Sequence, residues 1–323
     1  MKTRGRPRPE RRSRPPGAAG GRGGRPGPLS VRGAFLSALD EHDAAHWRSA
    51  VLQMRRMGMD VGIIQTEAYL EPTAGAWTLD AVGRPLIEAV LDAAAGEGVR
   101  VFVGLALPES ANGDPRAARD EALMAAIIER SKESAVRVFD RHGASPAFAG
   151  VYLPLETWTP GSPGELGLLP EYVAGLSRHC RSLSPSKEIA ISPFISDLAT
   201  DPALTARTYT EILTGSEVDV VMVQDGVGAR AVAVADFETR VEPYLLAMKA
   251  AADAARRQLW VNAESFAGDG PAPRARFRAQ VALARTVTPS VVTFDYASYC
   301  LCAAGGGAAG EPRPDHGPLR RRS

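Results

Sequence analysis

Cysteine is scarce in this chain: 323 residues hold three, Cys180, Cys300 and Cys302. The set is odd and has no zinc-site spacing, so neither a disulfide framework nor a structural metal is implied. The five histidines form no constellation. His42 and His46 stand four apart, a spacing found in metal sites, but they open a helical stretch and read as a solvated face. The serines near strand ends have no convergent histidine, which sets aside a nucleophilic triad. No G-x-G-x-x-G loop follows the first strand-like run and no Walker motif occurs, so nothing calls for a nucleotide cofactor. No apolar run is long enough to span a bilayer.

A large net charge is also missing, the total being +1. That balance hides an uneven distribution. Residues 1–28 carry nine Lys/Arg and one acid, and residues 303–323 carry four Arg and two acids. Setting these apart from 38 bases and 37 acids leaves 25 bases against 34 acids in residues 29–302. The body is acidic, which argues against nucleic acid as its partner. Both tails are poor in apolar residues, cannot bury enough surface to offset their ordering entropy, and read as disordered. The RRSR run at 11–14 is followed by no apolar h-region, so the chain as written reads as cytoplasmic. A mis-called start would make it a secreted protein.

What is present is a repeat of strand and helix. Short β-rich runs lie at 31–37, 60–70, 99–106, 148–156, 188–195, 219–226, 258–266 and 290–299. Most are apolar through the middle, as parallel strands buried on both faces must be. Helical patterns fill the gaps. Phe237, Val241, Tyr244, Leu245, Met248 and Ala252 form one stripe within 229–257, and a long helix is expected over 114–142 from Asp114-Pro115. Gly98, Gly143 and Gly215 fall where left-handed caps are expected. Eight such units point to a (β/α)₈ (TIM) barrel over residues 29–302, with a doubly wound open sheet as the runner-up. After the eighth run, CLCAAGGGAAGEPRPDHGPLRRRS shows no helical stripe. The eighth helix is expected to be missing, leaving apolar surface by strands one and eight open to self-association.

Barrels of this kind place their chemistry at the C-terminal strand ends. There the chain offers Gln65, Glu67 and Tyr69 after strand two, Glu156 after strand four, and Gln224 and Asp225 after strand six. Asn262 and Glu264 end strand seven, and Asp295, Tyr296 and Tyr299 end strand eight. Alternation puts Trp260, Asn262 and Glu264 on one face, with Trp260 as barrel filling. Two glutamates at strands four and seven suit a retaining glycosidase, whose carboxyls stand about 5–5.5 Å apart. Glu156 is assigned as acid/base and Glu264 as nucleophile. Trp77, Trp158, Tyr69, Phe194 and Tyr299 are candidate sugar-stacking faces, Gln65, Gln224, Asp225 and Asn262 candidate hydroxyl partners, and Tyr296 a further candidate substrate contact.

The segments GAFLSAL, MRRMGMDVGIIQ, FAGVYLPLE, LSPSKEIAISPF, DVVMVQDGVG, LWVNAESF and VTFDYASY, in that order, resemble the domain of unknown function 4434 family, a glycosidase-like barrel group. The resemblance covers about residues 30–300 and implies carbohydrate processing, with Glu156 and Glu264 in the acid/base and nucleophile positions. Two departures stand out: Leu155 occupies the place of the asparagine that most of the wider superfamily has before the acid/base, and no arginine ends strand two. They keep open a barrel that binds carbohydrate without hydrolysing it. A third reading is a metal-dependent lyase or isomerase built on Glu156, Asp225, Glu264 and Asp295.

Overall fold

A computed structural model describes residues 31–37, 43–73, 76–80, 84–108, 111–196, 198–268 and 270–303. Most of the two basic tails and the side chain of Trp77 lie outside the described residues.

Beginning with β1 (Gly33–Leu36) and α1 (Ala44–Arg56), the chain forms β2 (Val61–Ile64), a hairpin of β3 (Tyr69–Thr73) and β4 (Ala76–Asp80), α2 (Arg84–Glu97) and β5 (Arg100–Gly104). Then come α3 (Glu121–His142), β6 (Phe148–Leu153), α4 (Leu169–Leu183), β7 (Glu188–Ile191), α5 (Pro202–Thr214) and β8 (Val220–Gln224). The last third holds α6 (Glu242–Ala254), β9 (Gln258–Glu264), a small hairpin of β10 (Phe266–Ala267) and β11 (Gly270–Pro271), α7 (Arg274–Val287), β12 (Val291–Phe294) and α8 (Tyr296–Ala303). Eight parallel strands close in the order β1-β12-β9-β8-β7-β6-β5-β2. The chain is a (β/α)₈ TIM barrel.

Alternation sorts each strand into an outward row, packed under the helices, and an inward row. Phe35, Val61, Ile63, Phe102, Tyr152, Met222, Trp260 and Val292 belong to the inward cluster that fills the barrel. Trp260 meets Phe102 edge-on at 5.9 Å between ring centroids. Each such side chain taken fully out of water contributes about 1.5–3 kcal/mol. The helices close the outer layer through their apolar stripes, as Trp47, Ala50, Val51 and Met54 do on α1.

Several expectations need correction. An eighth helix is present: Asp295 accepts the Ser298 N–H at 2.6 Å and starts α8, which packs against β1, β12 and α7. That helix covers the side on which self-association was expected, so the argument for it loses its basis. Tyr296 and Tyr299 lie on this helix and not at a strand end. The Tyr296 hydroxyl donates to Gln53 of α1 at 2.8 Å, and Tyr299 packs on Phe277 of α7 at 5.7 Å, so both belong to the outer layer.

The second run, 60–70, is also two elements. The ladder ends at Ile64, and Thr66 folds into a turn with its hydroxyl 2.7 Å from the carbonyls of Ala68 and Leu105. Asp114-Pro115 opens a turn and a 3-10 segment rather than the helix itself. α3 starts seven residues on, where Asp120 accepts the Leu123 N–H at 3.0 Å. Of the three expected left-handed caps, only Gly98 has positive φ, at 66°. Gly143 and Gly215, at −55° and −80°, have ordinary φ angles. Among the described residues, no helix is long and apolar enough to cross a membrane.

Candidate active site

Register sets the heights of the polar groups at the mouth. Gln224, the last residue of β8, is level with Asn262 on β9, and Glu264 at the end of β9 is level with Phe294 of β12. Glu264 is therefore one inward step above Asn262. It is only 2% exposed. Its Oε2 accepts the Ala229 N–H at 2.7 Å from the loop after β8. That loop can come so close because residue 228 is glycine: a Cβ there would lie 2.6 Å from the Phe266 carbonyl oxygen and 2.9 Å from Glu264 Oε2.

Burial is the main reason the Glu264 carboxyl holds its proton up to about pH 8. The neighbouring Asp225 carboxylate pushes in the same direction, and so does Glu156, while the amides of Ala229 and Gly228 oppose them. Like charges and a dry setting both favour the neutral acid. Asp225 is itself buried and raised for the same first reason, burial, against hydrogen bonds from Gln280 and two backbone amides.

Glu156 follows β6 by three residues and is partly exposed. Its N–H donates to Asn112 Oδ1 at 2.8 Å, which ties it to the loop after β5. Gln224 Nε2 reaches Glu156 Oε1 at 3.1 Å and the Ser192 carbonyl at 2.8 Å. The amide expected to read substrate is thus engaged in holding Glu156. Below it, the Tyr152 phenol is buried and strongly raised, first by desolvation and then by Glu156, so it stays a neutral hydroxyl.

The other sequence candidates divide. Asn262 is 1% exposed and neither amide atom has a hydrogen-bond partner among the described residues. Phe194 lies beside Trp158 and Gln224, with the Arg230 guanidinium 5.4 Å above its ring. Trp158 is 6% exposed and donates Nε1–H to Glu165 of its own loop at 3.1 Å, so it packs that loop. Gln65 is partly buried just beyond β2, and Tyr69 is buried at the start of the β3 hairpin. Glu67 is not at the mouth: it is 3% exposed, bonded to the Ser134 hydroxyl at 2.7 Å and ion-paired to Arg137 of α3. Among the described residues, no three of His, Cys, Asp and Glu converge to hold a metal ion.

Reasoning from sequence missed Gln280 and Arg276. Gln280 donates to Asp225 Oδ2 at 2.8 Å, and its nitrogen lies 3.2 Å from the Glu264 carbonyl oxygen. A signal was there: Gln280 interrupts the buried stripe of Phe277, Val281 and Ala284 on α7. For Asn112 and Gly228, both in loops, no comparable pattern exists.

No curated protein matches the sequence. Solved structures do match in fold. A Bacteroides thetaiotaomicron protein, provisionally assigned as an α-L-fucosidase, aligns with TM-score 0.64 and 19% identity over 83% of this chain and 87% of that one. The endo-β-1,4-mannanase of Thermotoga petrophila aligns at 0.58 with 14% identity, over 84% of this chain and 68% of its own. The endo-1,4-β-mannanase of Rhizomucor miehei gives 0.56 and 11%, over 82% and 85%. At such identities the likeness concerns the fold alone, the (β/α)₈ barrel. The family described as domain of unknown function (DUF4434) matches residues 31–303, and the chain belongs to it.

Proposed function

We propose that the protein is a retaining glycoside hydrolase. The carrying observation is that Glu156 and Glu264 stand at the exits of β6 and β9 and are both held from β8 between them, Glu156 by Gln224 at 3.1 Å and Glu264 by the Ala229 N–H of the following loop at 2.7 Å. Retention needs two carboxyls in different states: a protonated one gives its proton to the departing glycosidic oxygen, and an ionised one attacks the anomeric carbon. Glu156 serves as acid/base, held by Gln224 and Asn112, and Glu264 as nucleophile. Substrate is a carbohydrate. The mannanase and fucosidase names of the similar structures support that class and leave the sugar open.

The dry surroundings of Glu264 favour a second reading with the roles exchanged. A group that keeps its proton to about pH 8 is a ready acid and a poor nucleophile at neutrality. The two readings have opposite pH signs. A Glu264 nucleophile must ionise, so kcat/KM should climb as pH rises through about 8; a Glu264 acid makes kcat/KM fall there.

The deciding experiment treats the protein with a panel of 2-deoxy-2-fluoro aryl glycosides of mannose, xylose, glucose and galactose, alongside an aryl α-L-fucoside turnover assay. The labelled peptide is then read by mass spectrometry. Label on Glu264 is expected, and label on Glu156 establishes the exchanged roles. Saccharide binding without label or turnover would replace the hydrolase with a binding barrel.

A further inference from the structure

We propose that Asp225 is the positioning residue of Glu264: it fixes the main chain at the end of β9 and sets a buried carboxylate beside that glutamate. The inference rests on the reading of Glu264 as a reacting group. Asp225 follows the last residue of β8 and is 3% exposed. Its Oδ1 accepts the N–H of Val227 at 3.1 Å and of Glu264 at 3.3 Å. Its Oδ2 accepts from Gln280, which is 2% exposed. The same Gln280 nitrogen lies 3.2 Å from the Glu264 carbonyl oxygen, and Arg276, one turn earlier on α7, donates to that carbonyl at 3.3 Å and to the Phe266 carbonyl. Glu264 is therefore gripped on its N–H side by Asp225 and on its C=O side by two α7 residues, one of them bonded to Asp225.

A loop cap would need one oxygen and the Val227 N–H. Here the second oxygen is satisfied by a buried amide from another helix that reaches back to the same glutamate. Among the described residues, Arg276 is the cation whose field acts on Asp225, and a carboxylate buried this deeply remains costly. Its own field falls on Glu264. The other charged groups around Glu264 are Glu156 after β6, Arg276 on α7, Arg230 in the loop after β8 and Asp295 after β12. Arg230 donates to the Ile195 carbonyl at 3.2 Å and Asp295 caps α8, so each of these two is directed elsewhere.

The test is carboxyl-carbon NMR titration of the full chain with ¹³C-labelled glutamate, Glu264 being assigned by its loss in Glu264→Gln. In the wild type its midpoint is expected at about pH 8. Asp225→Asn keeps an acceptor for both N–H groups and removes the charge, so the midpoint should fall by about one pH unit or more. Gln280→Met takes a donor from Asp225, which then competes for the proton, and the midpoint should fall by less. Should Asp225→Asn not fold, Gln280→Met decides. An unmoved midpoint in the folded variants, or a wild-type Glu264 that titrates in the ordinary carboxylate range, overturns the proposal. Glycoside turnover does not enter the reading. A barrel that cleaves nothing but shows these shifts would lose its hydrolase assignment and keep this role for Asp225.

Discussion

Glu67 and Glu264 are the same residue type, leave strands of the same barrel at the same end, and are 3% and 2% exposed. Their surroundings are opposite. Glu67 has turned behind the mouth to α3, where Arg137 neutralises it and Ser134 donates to it. Glu264 has been given backbone N–H groups and a second buried carboxylate. The lesson is that burial alone does not mark a working carboxyl. A buried acid matched to a cation reads as a strut tying a loop to a helix. A buried acid placed against another acid is held in a state that folding alone does not favour, and such sites are where chemistry is expected.

The largest effect should come from breaking the strut. Arg137→Met removes the cation and leaves Glu67 buried, which should cost about 3–5 kcal/mol of unfolding free energy at neutral pH. Denaturant titration measures it. A loss below about 1 kcal/mol, typical of an exposed pair, would mean that water reaches Glu67 and the contrast with Glu264 is false.

Removing the other acid should act in the opposite direction. The folded-state pKa of Glu264 is raised from 4.5 to about 8, so the native state binds its proton more tightly than the unfolded chain. Stability from this group is fully present below about pH 4.5 and declines as pH rises to about 8. Glu264→Gln carries no charge at any pH. It should match the wild type near pH 4.5 and exceed it by about 1–3 kcal/mol near pH 8, the coupling to Asp225 holding the gain below the uncoupled limit. Melting temperatures of the two proteins that stay parallel across this range would remove the strained-acid half of the comparison.

Much of this contrast was open to reading from sequence, and the unread part has physical causes. Strand positions were legible because β-branched, apolar runs such as VVMV and its counterparts have few other places to go in an α/β protein. The glutamate ending LWVNAE was legible because a charge at the end of such a run needs an exit. What surrounds each glutamate was not. Glu67 lies 70 residues from Arg137, and no local pattern connects them. Alternation placed Glu67 with Gln65 and Tyr69 at the mouth, while the Thr66 turn reoriented the chain. The eighth helix was hidden because YASYCLCA is rich in aromatic residues that favour strands. Its Asp295 cap was the one usable sign. Gln224 ends β8, and its engagement by Glu156 and Ser192 depends on strands that only the closed barrel brings together.

The smallest expected effect separates a site kept for a ligand from one kept for the fold. Asn262 sits one inward step below Glu264, 1% exposed, with both ends of its amide unpartnered among the described residues. An amide buried in that way costs about 1–3 kcal/mol of stability in the free protein. Leucine keeps the branched arrangement of four side-chain heavy atoms and has no polar atoms. If the amide serves a sugar hydroxyl, Asn262→Leu should stabilise the free barrel by about 1 kcal/mol, a rise of about 2–4 °C in melting temperature for a domain of this size. The same variant should lose the thermal shift that a bound oligosaccharide gives the parent. If the amide serves the fold, the sign reverses: the melting temperature falls, because polar contacts made in the free protein have been removed. The sign is the informative quantity, since a functional group and a structural one can occupy the same buried position and differ only in when their partner arrives.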